Sequence, residues 1–406
     1  MSESKRMSPS QVRAAVAKKW DSHHANWLVD IPDAPGWPQV FSLHSLTERD
    51  VLNDLPGTRE WVASWREWNV AGGTVEWTPR RWSSGDQELP SRLVLAKPED
   101  MAQALGHGES WSRAATRYAA WRVQFPSLAG SRAVARNCDD VLVGYGDADF
   151  VRLTALLQWL VDNPNSGLYL RQLPLADVDT KWVWPRRGVV QDLMRQLLYA
   201  VEDVGFHALC GLRAEPARLR MRVLCPRLRA RVGGLCDIEA PIADLAALQL
   251  APTIGLVVEN LNTGIALPDI DGTVAFMRMG LAVDQLEAIG WLRGAQRHLY
   301  WGDLDTHGFA ILARARRRFP NTVSVLMDEG TLLAHRKLWV REPKPCRVES
   351  PEGLTVAELA VYEGLRANRW GERVRLEQER IAWPAALEAI SNALGNHLAR
   401  TAGRPK

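Results

Sequence analysis

Arg297-His298-Leu299-Tyr300-Trp301-Gly302-Asp303-Leu304-Asp305-Thr306 is the stretch on which the fold turns. A short apolar run, Leu299 to Trp301, gives way at Gly302 to an Asp-x-Asp pair, and Thr306 then opens a helical pattern that reaches Phe319. Strand, acidic turn and helix in that order make the start of a β/α unit. Upstream, Thr253-Ile254-Gly255-Leu256-Val257-Val258 is apolar without alternation, as in a strand buried on both faces of a parallel sheet, and Glu259 ends it. Residues 322–326 supply a third strand. This alternation predicts right-handed crossovers and a sheet whose carboxyl ends form the functional edge.

Glu259, Asp303 and Asp305 therefore fall at the carboxyl ends of two strands, where one sheet edge can gather all three. Crowded carboxylates call for a cation, and an all-oxygen donor set suits Mg²⁺ or Mn²⁺, whereas zinc favours His and Cys. Capping of the next helix would explain one Asp, but neither the second nor the strand-end Glu. His307, just inside the helix, is close enough in sequence to touch a phosphate, and packing beside the helix start accounts for it too.

Before the β/α region lies the strongest basic cluster, residues 213–231, with seven Arg against the single acid Glu215. In Arg218-Leu219-Arg220-Met221-Arg222-Val223 the period of two puts Arg218, Arg220 and Arg222 on one face of a strand, suited to a phosphate backbone or simply to solvent. Farther upstream, residues 151–161 and 189–201 repeat Leu and Val at helical spacing. Between them, Arg171-Gln172-Leu173-Pro174 breaks helix, and Asp179 with Thr180 can cap the next one. A compact DNA-binding module and a helical region that only packs both satisfy this pattern. Residues 58–70 place Trp61, Trp65 and Trp68 on one helical face, where burial explains them, and residues 74–82 and 91–96 read as strands around a turn at Ser83-Ser84-Gly85-Asp86.

The chain of 406 residues is longer than one core usually supports, so two or three structural units are expected. With 50 Lys+Arg against 47 Asp+Glu, any nucleic-acid surface must be local. Most of the cations are Arg, the planar fork that matches phosphate, although a GC-rich coding sequence produces the same bias. Five cysteines without paired close spacing predict free thiols, not a disulfide framework or a zinc ribbon. No apolar leader or membrane-length apolar run occurs, which predicts a cytoplasmic protein.

The strand-end Glu259 and the Asp303-Leu304-Asp305 pair resemble the Toprim domain of topoisomerases, primases and related nucleases. Gly302-Asp303-Leu304-Asp305-Thr306-His307-Gly308-Phe309, Leu333-Ala334-His335-Arg336-Lys337-Leu338-Trp339 and Leu376-Glu377-Gln378-Glu379 narrow the likeness to the JetD family, the nuclease subunits of bacterial Wadjet anti-plasmid systems. The Arg-Gln-Leu-Pro and Val-Asp-Thr-Lys motifs extend it upstream. The resemblance implies a multidomain chain of α/β plus α+β class, related to the A subunit of topoisomerase VI. Its parts would be an N-terminal arm (1–110), a helical winged-helix-like DNA-binding module (111–212) and a C-terminal Rossmann-like Toprim nuclease domain (213–406). It further implies a homodimer that cuts double-stranded plasmid DNA beside a condensin-like SMC ATPase, with its kleisin and accessory subunits. Glu259 matches the Toprim general acid/base position, and Asp303 and Asp305 match the metal-binding pair. No tyrosine lies in the context expected of a topoisomerase nucleophile, so hydrolysis by a metal-activated water is expected over transesterification. A non-catalytic DNA-binding adaptor is the other alternative. Glu377 and Glu379 can support the site or line an exposed helix.

Overall fold

The structure is a computed structural model that describes residues 5–68, 72–82, 85–200 and 204–395. The chain divides into two compact units, Met1–Glu215 and Pro216–Lys406. Among the described residues the strands are β1 (Gln39–Ser42), β2 (Thr74–Trp82), β3 (Gly85–Leu95), β4 (Arg218–Val223), β5 (Asp237–Pro241), β6 (Ile254–Val258), β7 (Thr273–Met277), β8 (Arg297–Trp301), β9 (Thr322–Ser324), β10 (Val340–Arg341) and β11 (Val374–Arg375).

In the first unit a helix, Pro9–Leu28, starts from a Ser8 cap that is closed reciprocally by Gln11, and it buries Val12, Val16 and Trp20 at successive turns. An antiparallel sheet of order β1-β3-β2 follows. Trp61 and Trp65 are core residues, as their spacing predicts, and both indole N–H groups donate to the Met7 carbonyl at 2.8 and 3.0 Å. The Ser83-Ser84 part of the expected turn lies outside the described residues, as does residue 201 at the end of the expected 189–201 helix. The helices Gly108–Gln124, Asp147–Asp162 and Thr180–Leu197 then build the rest of the unit. Asp179 caps the last of these, accepting from the Trp182 N–H at 2.8 Å, and Pro185 lies inside it. One continuous hydrophobic core runs through the unit, from Val12 and Leu93 to Leu156 and Leu193, so residues 1–110 and 111–212 share it.

The second unit is organised by a six-stranded sheet of order β5-β4-β7-β6-β8-β9. β7, β6, β8 and β9 are parallel, and β4 joins β7 antiparallel, with β5 antiparallel outside it. The central strands β6 and β7 are buried at every position, which is why their sequences do not alternate. β7, Thr273-Val274-Ala275-Phe276-Met277, has no counterpart in the sequence reading. The ladder of β9 ends at Ser324, two residues short of the expected 326, and Leu326 takes a left-handed φ of 57°. Helix Thr306–Arg318 matches its expected span to within one residue, and buries Phe309, Leu312 and Ala313. A small antiparallel pair, β10-β11, and the Leu304–Leu376 bridge bring residues 374–378 over the carboxyl end of β8.

Candidate functional site

β6 and β8 are adjacent and parallel, with Val258 opposite Trp301, and the Glu259 N–H donates to the Trp301 carbonyl at 3.1 Å. Register therefore brings Glu259 and Asp303 together at one sheet edge. Glu259 accepts from the Asp303 N–H and from the Tyr300 hydroxyl, both at 3.3 Å, and Tyr300 is fully buried. Asp305 is 4% exposed and begins helix Thr306–Arg318 as its cap, accepting from the Gly308 N–H at 2.7 Å. Glycine is needed at 308, because a Cβ there would stand 2.0 Å from the Asp303 carbonyl oxygen. Asp305 thus caps the helix and also belongs to the carboxylate cluster.

Two further groups complete the surroundings: Glu342, which sequence reasoning did not single out, and Gln378, which it met only within the Leu376-Glu377-Gln378-Glu379 motif and gave no role. Glu342 is 2% exposed and accepts from the Thr306 hydroxyl at 2.6 Å, and its charge repels Asp305. Its sequence neighbourhood, Arg341-Glu342-Pro343-Lys344, reads as an ordinary polar turn. Gln378 is 1% exposed and threads the site: its backbone N–H donates to Asp303 at 2.8 Å, its side-chain oxygen accepts from the Asn260 N–H at 3.1 Å, and its amide nitrogen donates to the Trp301 carbonyl. The flanking acids considered from sequence make none of these direct contacts with Glu259, Asp303 or Asp305, although Glu377 also meets Arg375 at 3.7 Å. Glu377 pairs with Arg380 at 2.9 Å, and Glu379 accepts from Asn262 at 3.2 Å.

A guanidinium sits among the carboxylates. Arg375 donates to Asp303 through Nη2, approaches Asp305 to 3.1 Å through Nε, and reaches Glu377 at 3.7 Å. Burial pushes the Asp305 carboxyl up to about 7, with repulsion from Glu342 and Glu259 adding to it, despite the opposing Gly308 N–H and Arg375. Burial and the Asp303 charge likewise raise Glu259 above the usual carboxylate range. Fully ionised, the edge would carry more buried negative charge than one guanidinium neutralises, which is why these carboxyls are raised. Its donors are all oxygens, which fits Mg²⁺ or Mn²⁺ in type and charge. The three carboxylates do not all present an oxygen within 4.8 Å of one another, and the Arg375 head contacts both Asp303 and Asp305. For them to share one ion, that side chain has to withdraw.

The basic strand is arranged differently from a free cationic face. Arg220 makes a two-pronged pair with Asp237 at 2.8 and 2.7 Å. Arg222 donates to the carbonyls of Gly264, Ile265 and Leu267 at the end of helix Leu261–Ala266. Arg218 donates to the Glu239 carbonyl at 2.8 Å and keeps a side chain that is 51% exposed. His307 is exposed and bonds the Lys344 carbonyl through Nε2 at 2.8 Å. All five cysteines are free thiols.

Comparison with known families decides the relationship. A family model described as Wadjet protein JetD, C-terminal, matches residues 211–390, and one described as the N-terminal part of an uncharacterized protein conserved in bacteria matches residues 9–195. The chain belongs to the JetD family. No curated protein matches it. The carboxylate edge, from Glu259 through Gln378, lies wholly inside the region matched to the JetD C-terminal model. No described helix is long and apolar enough to cross a membrane.

Proposed function

We propose that this JetD-family chain is a metal-dependent DNA endonuclease, the cutting subunit of a Wadjet system, and that its second unit is a Toprim nuclease domain. The observation that carries this reading is the convergence of Glu259, Asp303 and Asp305 on adjacent parallel strand ends. Asp303 and Asp305 are the ligands that would hold Mg²⁺ or Mn²⁺, with Glu259 beside them. The bound ion supplies Lewis acidity to a phosphodiester and lowers the pKa of water. Glu259, which faces Asp303 at the sheet edge and whose carboxyl burial raises above its ordinary value, is suited to take a proton from an attacking water or return one to the leaving oxygen. Tyr300 holds Glu259 in place, and Gln378 holds Asp303. Tyr300 is itself sealed from solvent, which bars it from acting as a topoisomerase-type nucleophile.

Wadjet membership carries the partnership with an SMC-like ATPase complex. A homodimer in the cytoplasm would then bring two sites to the two strands of a plasmid duplex, with Arg218 and His307 as exposed groups available to the backbone. Arg375 contacts both Asp303 and Asp305 and would compete with a cation for them, so low cutting activity of the chain alone is expected. The test is incubation of the chain and its SMC partner with a small closed plasmid, ATP and Mg²⁺. Linear product, lost on Asp303→Asn, is expected. Intact supercoiled DNA, or cutting that survives Asp303→Asn, would overturn the proposal. A protein-DNA adduct after denaturation would favour the transesterase, and metal-independent function would favour a DNA-binding adaptor.

A further inference from the structure

A second cluster of metal-type donors lies in the first unit, far in sequence from the carboxylate edge. His24 on helix Pro9–Leu28, and Cys138 and Asp139 at the start of the turn Cys138–Gly144, each present a donor atom within 4.8 Å of the other two. Three features show a prepared arrangement. His24 Nδ1 lies 2.9 Å from the Trp20 carbonyl oxygen, which can only accept, so Nδ1 carries the proton and Nε2 is the nitrogen that faces the cluster. The ring is further fixed by stacking on Trp20, with centroids 5.3 Å apart and planes 17° from parallel. Cys138 and Asp139 open a π-helical turn, a rare form concentrated at functional sites, and its wider winding rotates successive side chains less than an α-helix does.

The sulfur of Cys138 is buried, 1% exposed, and makes no hydrogen bond among the described residues. The Asp139 carboxylate lies 2.7 Å from His24 Nε2, and its side chain is 76% exposed. Beyond the three donors is a hollow of about 400 Å³, walled by Trp20, Asp21, His107, Ser110 and Trp111, which leaves a fourth position open to solvent. We propose that His24, Cys138 and Asp139 bind a zinc-type divalent cation, with the fourth position facing this hollow. The donor set decides the class of ion: nitrogen, thiolate sulfur and one carboxylate oxygen suit Zn²⁺, whereas Mg²⁺ and Ca²⁺ take oxygens. Donors on a tetrahedral zinc stand about 3.5 Å apart, so the three atoms, already within 4.8 Å of one another, are close to the spacing an ion needs, and the 2.7 Å His24–Asp139 contact has to open. On binding, the thiol proton leaves to solvent as the metal–sulfur bond forms, and no oxidant or reductant is involved. The ion ties the first helix to a turn more than a hundred residues away.

The competing account is a plain hydrogen bond from His24 to Asp139, with Cys138 as a small apolar filler. Co²⁺ distinguishes them. The full chain, stripped with EDTA, is titrated with Co²⁺, which is then displaced by Zn²⁺. A near-ultraviolet sulfur-to-cobalt band is expected, saturating at one site per chain and bleached by Zn²⁺ but not by excess Mg²⁺. Cys138→Ser should remove that band, and the exposed Asp139→Ala should weaken Co²⁺ binding at least about tenfold. Asp305→Asn, at the carboxylate edge, should leave it unchanged, which separates this site from the nuclease reading. Should Cys138→Ser not fold, the Asp139→Ala titration decides. A folded wild-type chain without the band, a band that persists in Cys138→Ser, or Co²⁺ affinity untouched by Asp139→Ala would each overturn the proposal.

Discussion

Arg375 Nε lies 3.1 Å from the Asp305 carboxylate, fully enclosed and without a hydrogen-bond partner among the described residues, so this contact is electrostatic attraction and not a directed bond. Arg375 acts as an internal counter-cation at an edge that otherwise collects buried negative charge.

That relationship makes Arg375→Ala informative. Without the guanidinium the carboxylates repel one another unopposed, and the partly exposed position limits the loss to roughly 1–3 kcal/mol. A drop of several degrees in melting temperature in EDTA is expected, together with a larger upward shift on adding Mg²⁺ than the wild type shows. Equal Mg²⁺ shifts in the two proteins would mean that Arg375 does not compete with the ion.

Asp305 combines a cap with a crowded anion, and two substitutions separate these roles. Asp305→Asn keeps an oxygen for the Gly308 N–H while removing charge, so the EDTA-treated variant should melt no lower than wild type and its plasmid cleavage should vanish. Asp305→Ala loses the cap as well, which costs about 0.5–2 kcal/mol relative to Asn. Active, destabilised variants would leave capping as the whole role of Asp305.

Glu358 makes the folded state sensitive to acid. Burial works to raise its carboxyl, but hydrogen bonds from Arg316, Ser324 and the Thr355 N–H outweigh burial and hold it at about 2. A depressed carboxyl contributes stability that is complete above its unfolded value of 4.5 and is lost as pH falls toward 2. The contribution is on the order of 3 kcal/mol. Denaturant unfolding of Glu358→Gln should show that deficit at neutral pH, closing toward pH 2, and a pH-independent difference would contradict it.

Arg218 and Arg222 occupy the same strand face but should behave oppositely. Arg222→Ala strands the carbonyls at the end of helix Leu261–Ala266 and should lower stability by about 1–3 kcal/mol with little effect on DNA affinity. Arg218→Ala should leave stability nearly unchanged and, if Arg218 meets phosphate, reduce the salt slope of DNA binding by about 1. Melting curves beside binding measured at several salt concentrations separate the two.

The sequence by itself determined the strands β6 and β8, the helix after Asp305, the Trp61–Trp65 core face and the three acids at strand ends, because each is written in local periodicity or in a cap-and-turn signal. Only the tertiary structure decided what surrounds those acids. Glu342 and Arg375 arrive from segments whose local patterns are ordinary, Gln378 comes from a motif that does not tell its role, and the β10-β11 pair with the Leu304–Leu376 bridge lays the 374–378 segment over the edge. β7 was not read from the sequence, although its run lacks alternation as that of β6 does, and the structure pairs it with β4 and β6 on either side. The alternation of Arg218, Arg220 and Arg222 was legible, but their partners Asp237, Glu239 and the end of helix Leu261–Ala266 were not, since contacts across strands depend on register that no single segment encodes.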